Sequence, residues 1–131
     1  MIEVSSAVIE ALLGEARGSG AHECCGLLLG QGGSIRAVSP ARNIHPEPRT
    51  RFELDPATLI AAHRAAREGG PEVLGYYHSH PNGLPRPSAT DAAAASGDGR
   101  IWAIIARGEV TFWQDTANGL AALPYRQVGD Q

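Results

Sequence analysis

Apolar positions recur along the chain with two periods, and the change from one to the other predicts the elements. Val8, Ile9, Leu12, Leu13 and Ala16 stand at helical spacing behind Ser5 and Ser6, either of which can cap a helix. Arg17-Gly-Ser-Gly20 ends that helix. Cys25 to Gly30 is a short apolar run bounded by glycine and reads as a buried strand. Gln31-Gly-Gly33 is a hairpin turn, with Ser34 to Ser39 returning as a second strand. Pro40 to Thr50 is rich in Pro, Arg and Asn and reads as a loop; Phe52 to Leu54 is extended.

Asp55-Pro56 marks a second helix, a capping acid followed by proline at the first helical position. Gly69-Gly70 stops it. Glu72 to His80 alternates as a strand until Pro81, and a proline-rich loop runs to Pro87. Ser88 caps a third helix through Ala95. Ile101 to Ala106 and Val110 to Trp113 pair across the tight turn Arg107-Gly108, and Leu123 to Gln127 adds an edge strand. Leu74 and Tyr76 are expected on the same strand face as His78. The pattern predicts a single α/β domain over 1–131, one mixed sheet with about three helices, and a frayed tail at 127–131.

The size suits one compact core and is too small for two. No apolar run approaches the roughly 20 residues of a membrane span, and the N-terminus lacks a signal-peptide pattern. A cytoplasmic location is expected. Net charge is -3 and all 11 basic side chains are arginines, scattered without a dense patch. Nucleic-acid binding is not expected. The adjacent Cys24 and Cys25 point to opposite strand faces, so reduced core thiols are expected rather than a mutual disulfide.

The chemistry concentrates in His78-Ser-His-Pro-Asn-Gly-Leu-Pro-Arg-Pro-Ser88-Ala-Thr-Asp91. Residues two apart in a strand share a face, so His78 and His80 aim their rings to one side and Ser79 to the other. Two imidazoles make half of a tetrahedral zinc site. Asp91, in the first turn of the third helix, can supply a third ligand when the loop folds back. Two His and one Asp leave a fourth position for water, as a catalytic zinc requires. Glu23, ahead of the first apolar strand, is the candidate general base. Ser88 can donate to a tetrahedral oxyanion or can be committed to capping its helix.

These residues resemble the JAMM (MPN+) metallopeptidase pattern: an upstream glutamate, then H-x-H-P, a serine, and an aspartate after two more residues. Glu23, His78-Ser79-His80-Pro81, Ser88 and Asp91 match it, with 10 residues between His80 and Asp91. Glu23-Cys-Cys-Gly-Leu-Leu is similar to the family's E-x-C-G-L-L strand. The resemblance implies a curved, cytidine-deaminase-like sheet, one zinc ion on His78, His80 and Asp91, Glu23 as acid/base, and Ser88 supporting the oxyanion. It also implies hydrolysis of an amide bond after the C-terminal glycine of a ubiquitin-like or sulfur-carrier protein. The compact form, without the insertions of linkage-specific deubiquitinases, resembles bacterial members. Two other readings stand beside it: a non-catalytic zinc-containing interaction module, and a small-peptide metallohydrolase.

Overall fold

A computed structural model describes residues 1–129. Its elements, in chain order, are β1 (Ile2–Ser5), α1 (Ser6–Ser19), β2 (Cys25–Gln31), β3 (Ser34–Ala41), α2 (Pro56–Arg67), β4 (Glu72–Ser79), α3 (Ala89–Ala94), β5 (Ile101–Ala106), β6 (Glu109–Thr116), β7 (Gly119–Ala122) and β8 (Tyr125–Val128). The strands form one sheet in the order β7-β6-β5-β4-β2-β3-β1-β8. It is mixed: β4–β5, β1–β3 and β1–β8 are parallel, and the other pairs antiparallel. The expected curved mixed sheet with three helices is what forms.

The sheet curls around α1. Leu123 N–H donates to the Phe112 carbonyl at 2.9 Å and Ile2 N–H to Pro124, while the rings of Phe112 and Tyr125 meet at 4.7 Å. The start of β8 is thus held near β6 although its hydrogen-bonded partner is β1 at the far side. Val8, Ile9 and Leu12 of α1 fill the enclosed space with Val4, Leu28, Ile35, Tyr77, Ala103, Ile105 and Phe112. Burial of each large aliphatic side chain contributes about 1.5–3 kcal/mol. Tyr77 fits only because residue 26 is glycine: a Cβ there would stand 2.4 Å from the Tyr77 hydroxyl.

The helix starts follow their caps. Ser5 accepts from Ala7 N–H, Asp55 from Ala57 N–H, and Ser88 from Asp91 N–H. Three expectations need correction. Gln127 and Val128 are not frayed but belong to β8, paired in parallel with Val4 and Ser5; residues 130 and 131 lie outside the described residues. The expected edge strand from Leu123 to Gln127 forms only from Tyr125 onward, as β8, and β7 precedes it at Gly119–Ala122. Leu74 packs with the α1-side core and not beside His78, because the β2–β4 register slips there: Leu28 pairs with Gly75 and Leu29 with Val73. A bulge reverses the side-chain alternation beyond it. β1 was not foreseen; four residues carry too little pattern, and its partners β3 and β8 are remote in sequence.

Candidate active site

β4 lies fourth from one edge, between β5 and β2, and its C-terminal end delivers His78 and His80. The antiparallel register pairs Cys25 with His78. Continued two residues, it sets Glu23 opposite His80, so the distant glutamate and the two histidines come to one strand end and one face. Ser79, on the other face, accepts from Cys24 N–H at 2.9 Å, and Ser79 N–H donates to the Cys24 carbonyl at 3.1 Å, locking the strand ends together.

The loop from Pro81 then turns back. His80 Nδ1 faces the Leu84 carbonyl at 2.8 Å. A carbonyl only accepts, so Nδ1 carries the proton, and in a neutral ring Nε2 is left with its lone pair. Thr111 donates to the Pro85 carbonyl at 2.7 Å and itself accepts from the Trp113 indole, fastening the loop to β6. Ser88 and Asp91 form a reciprocal capping box: Asp91 N–H donates to Ser88 Oγ at 3.1 Å, and Ser88 N–H to Asp91 Oδ2 at 3.0 Å. The box aims the Asp91 carboxylate at the histidines.

Asp91 Oδ1 stands 2.9 Å from His78 Nε2, Asp91 Oδ2 2.9 Å from His80 Nε2, and the two Nε2 atoms are 3.1 Å apart. The donor atoms lie within 4.8 Å of one another and are almost removed from solvent, with His78 1%, His80 9% and Asp91 4% exposed. Two imidazole nitrogens facing each other and a carboxylate at this range repel unless a cation sits among them. A proton can serve, and so can a metal ion, for which a His-His-Asp donor set is suited. Burial would raise the Asp91 carboxyl, but hydrogen bonds from both histidines outweigh it and hold it far below the usual carboxylate range. Burial wins at His78 and lowers it. At His80 burial opposes the charge, yet Asp91 and the Leu84 carbonyl raise the ring.

Glu23 borders the same groove as His80 and Ser88, a cleft of about 410 Å³ whose walls include Arg49, Leu84 and Arg86. Its carboxyl is pushed up to about 7, chiefly by burial; Asp91 adds to the rise and His80 opposes it. The sequence reading missed the groups that hold this arrangement. Asn43 Nδ2 donates to the carbonyls of Glu23 and Arg51, while its Oδ1 accepts from His45 and Glu53 N–H, tying the long loop to the glutamate. Phe52 stacks on the His78 ring at 4.4 Å and 20°, and Trp102 meets it edge-on at 5.9 Å. Buried Asp115 accepts from Ser96 and Gly97 N–H and holds the segment after α3. The asparagine inside a Pro/Arg loop was the one available signal. Cys24 and Cys25 are buried free thiols, as expected.

Known proteins resemble this chain in sequence and in fold. Over 91 residues the chain is 38% identical to a desampylase of Haloferax volcanii, covering 68% of this chain and 66% of the relative. Over 61 residues it is 39% identical to a probable TtuB-protein conjugate cleaving protease of Thermus thermophilus, covering 47% of this chain and 41% of that one. The matched segments thus span about two thirds of the first relative and less than half of the second. A solution structure of a Desulfitobacterium hafniense protein superposes with a TM-score of 0.86 at 28% identity, covering 99% of this chain and 94% of the other. Residues 5–116, which contain every side chain of the cluster, match the family model described as prokaryotic homologs of the JAB domain, and the chain belongs to that family.

Proposed function

We propose that this chain is a zinc-dependent peptidase or isopeptidase that hydrolyses the amide bond after the C-terminal glycine of a ubiquitin-like or sulfur-carrier protein. The observation that carries the reading is the convergence of His78, His80 and Asp91, a donor set suited to a metal ion with its ligand atoms within 4.8 Å of one another. The names of the Haloferax and Thermus relatives support the substrate class. Bound there, zinc would polarise a scissile carbonyl and lower the pKa of water to roughly 7.

The chain's own residues supply the rest. His78, His80 and Asp91 would hold the ion, oriented by Leu84, Phe52 and the capping box. The Glu23 carboxylate takes a proton from the attacking water and returns it to the leaving amine nitrogen. A carboxyl pushed up to about 7 suits both directions of transfer near neutral pH. Ser88 keeps its hydroxyl proton while capping α3, and donates it as a hydrogen bond to the oxyanion. The glycine tail, lacking side chains, runs extended through the groove between Glu23 and Leu84. Among the described residues no helix is long and apolar enough to cross a membrane; a cytoplasmic site of action fits this reading.

The test is a zinc-loaded sample incubated with a carrier–amino-acid adduct and followed by mass. Loss of the amino acid, blocked by chelator, is expected. Glu23→Gln should retain one zinc per chain while turnover falls roughly 10²–10⁴-fold. Unchanged turnover in that variant removes Glu23 from the mechanism.

A further inference from the structure

A second cavity of about 360 Å³ lies behind the first, sharing His80 and Pro81 as a common wall. The end of α1 and the β5–β6 turn close it, and Arg17 and Arg107 stand on its two sides. Among the described residues no carboxylate lines it and neither arginine has an ion-pair partner. Arg17 lies back over Gly14, its Nη2 3.7 Å from where a Cβ would stand at that residue.

The turn makes Arg107 unusual. Ala106 pairs with Glu109, so only Arg107 and Gly108 turn the hairpin, and both have positive φ, 54° and 75°. Such two-residue turns favour Asn, Asp or Gly at both positions. Arg107 is the only described residue other than glycine with positive φ. A side chain there is disfavoured by its own backbone, and the long cation in that position stands at the rim of a cavity that Arg17 also borders.

We infer that this cavity is a carboxylate-binding subsite for the part of the substrate beyond the scissile bond, with Arg107 and Arg17 as its specificity residues. A chain crossing the His80–Pro81 wall leaves one groove and enters the other, so a substrate with its acyl tail beside Glu23 carries its leaving portion toward the arginines. The carboxylate comes from a free C-terminus or from an acidic side chain; the guanidinium fork accepts both. The inference rests on the hydrolase reading for the direction of the chain, but not for binding.

Binding is therefore measured without turnover. Zinc-loaded, ¹⁵N-labelled Glu23→Gln protein is titrated with three N-acetylated peptides: Gly-Gly-Ala with a free terminus, Gly-Gly-Ala-Glu amide, and Gly-Gly-Ala-Gln amide. At least one of the two carboxylate peptides should bind roughly tenfold tighter than the glutamine amide and shift the amide signals of Arg107, Gly108 and Gly20. The tighter of the two identifies the source of the carboxylate. Arg107→Asn should abolish the preference while keeping or raising the melting temperature, because Asn-Gly suits this turn. Arg17→Ala should weaken it without a change in fold. Equal binding of all three peptides, no binding at millimolar concentration, or a preference that survives Arg107→Asn and Arg17→Ala but is lost with Arg49→Ala and Arg86→Ala overturns the inference. If carboxylate peptides bind but the parent enzyme cleaves no carrier adduct, the hydrolase reading fails instead.

Discussion

The two faces of β4 are built to different standards. Toward α1 the sheet is dry and closely packed: Leu12, Leu28, Ile35 and Tyr77 are fully buried there. Toward α2 the cover is thinner: sheet residues are buried there, but no residue of that helix is. Buried on that side are the apolar Cys25, Leu27, Ile104 and Trp102 together with the polar His78 and Asp91, with Phe52 laid over the histidine. The same strand gives Tyr77 to one face and His78 to the other by alternation alone. The core packed against α1 takes no part in the chemistry, so the other face can carry converging polar groups without weakening it.

That division is sharpest in the contrast between Leu12 and Phe52. Leu12→Ala leaves a hole in the enclosed core and should cost about 2–5 kcal/mol in urea denaturation, while the folded fraction binds zinc as tightly as the parent. Phe52→Ala should do the reverse. Phe52 is only partly buried and lies outside the core around α1, so its loss costs less stability than that of Leu12, but the His78 ring loses its stacking support and zinc affinity should fall about 10–100-fold in a competition titration, as for removal of other ligand-orienting groups. A loss of zinc affinity with Leu12→Ala, or none with Phe52→Ala, would show that the faces are not independent.

Ser88 separates two roles on the working face. Ser88→Ala removes the cap of α3 and should destabilise by about 1 kcal/mol. Ser88→Asn restores a capping acceptor and most of that stability. Should turnover stay low in the asparagine variant, the hydroxyl acts on the oxyanion; should it recover fully, Ser88 serves only to aim Asp91.

The histidines, Asp91, Ser88 and Glu23 were legible because their spacing is short or set in a recognisable pattern, and the helix starts because Ser5, Asp55 and Ser88 announce them locally. What escaped depends on groups that meet only in the folded chain. Phe52 looks like any residue of an extended segment until the loop lays it on His78. Asn43 gives no hint that its amide will reach Glu23. Asp115 sits in a strand pattern and is buried only because the segment after α3 returns to it. The misplacement of Leu74 is of the same kind: a one-residue slip of register has no signature in the alternation that it interrupts.

The packed face contains an ionisable pair, and it gives the smallest and most specific test. Tyr77 donates its hydroxyl hydrogen to Glu15 Oε2 between α1 and β4. Burial raises the Glu15 carboxyl above its ordinary 4.5, with the tyrosine hydrogen bond opposing the shift. A carboxyl raised by folding binds its proton more tightly in the native state than in the unfolded chain. Its contribution is therefore fully present below about pH 4.5 and is lost as pH climbs through the raised native value. Glu15→Gln keeps an acceptor for Tyr77 and removes the titration. Subtracting the variant's unfolding free energy from the parent's at each pH cancels the other groups, including the His-Asp cluster on the far face. The difference should become less favourable to the parent from pH 4.5 upward and then level off. A flat difference would mean that Glu15 ionises in the folded chain as it does in the unfolded one, and that the α1 face is less dry than its packing implies.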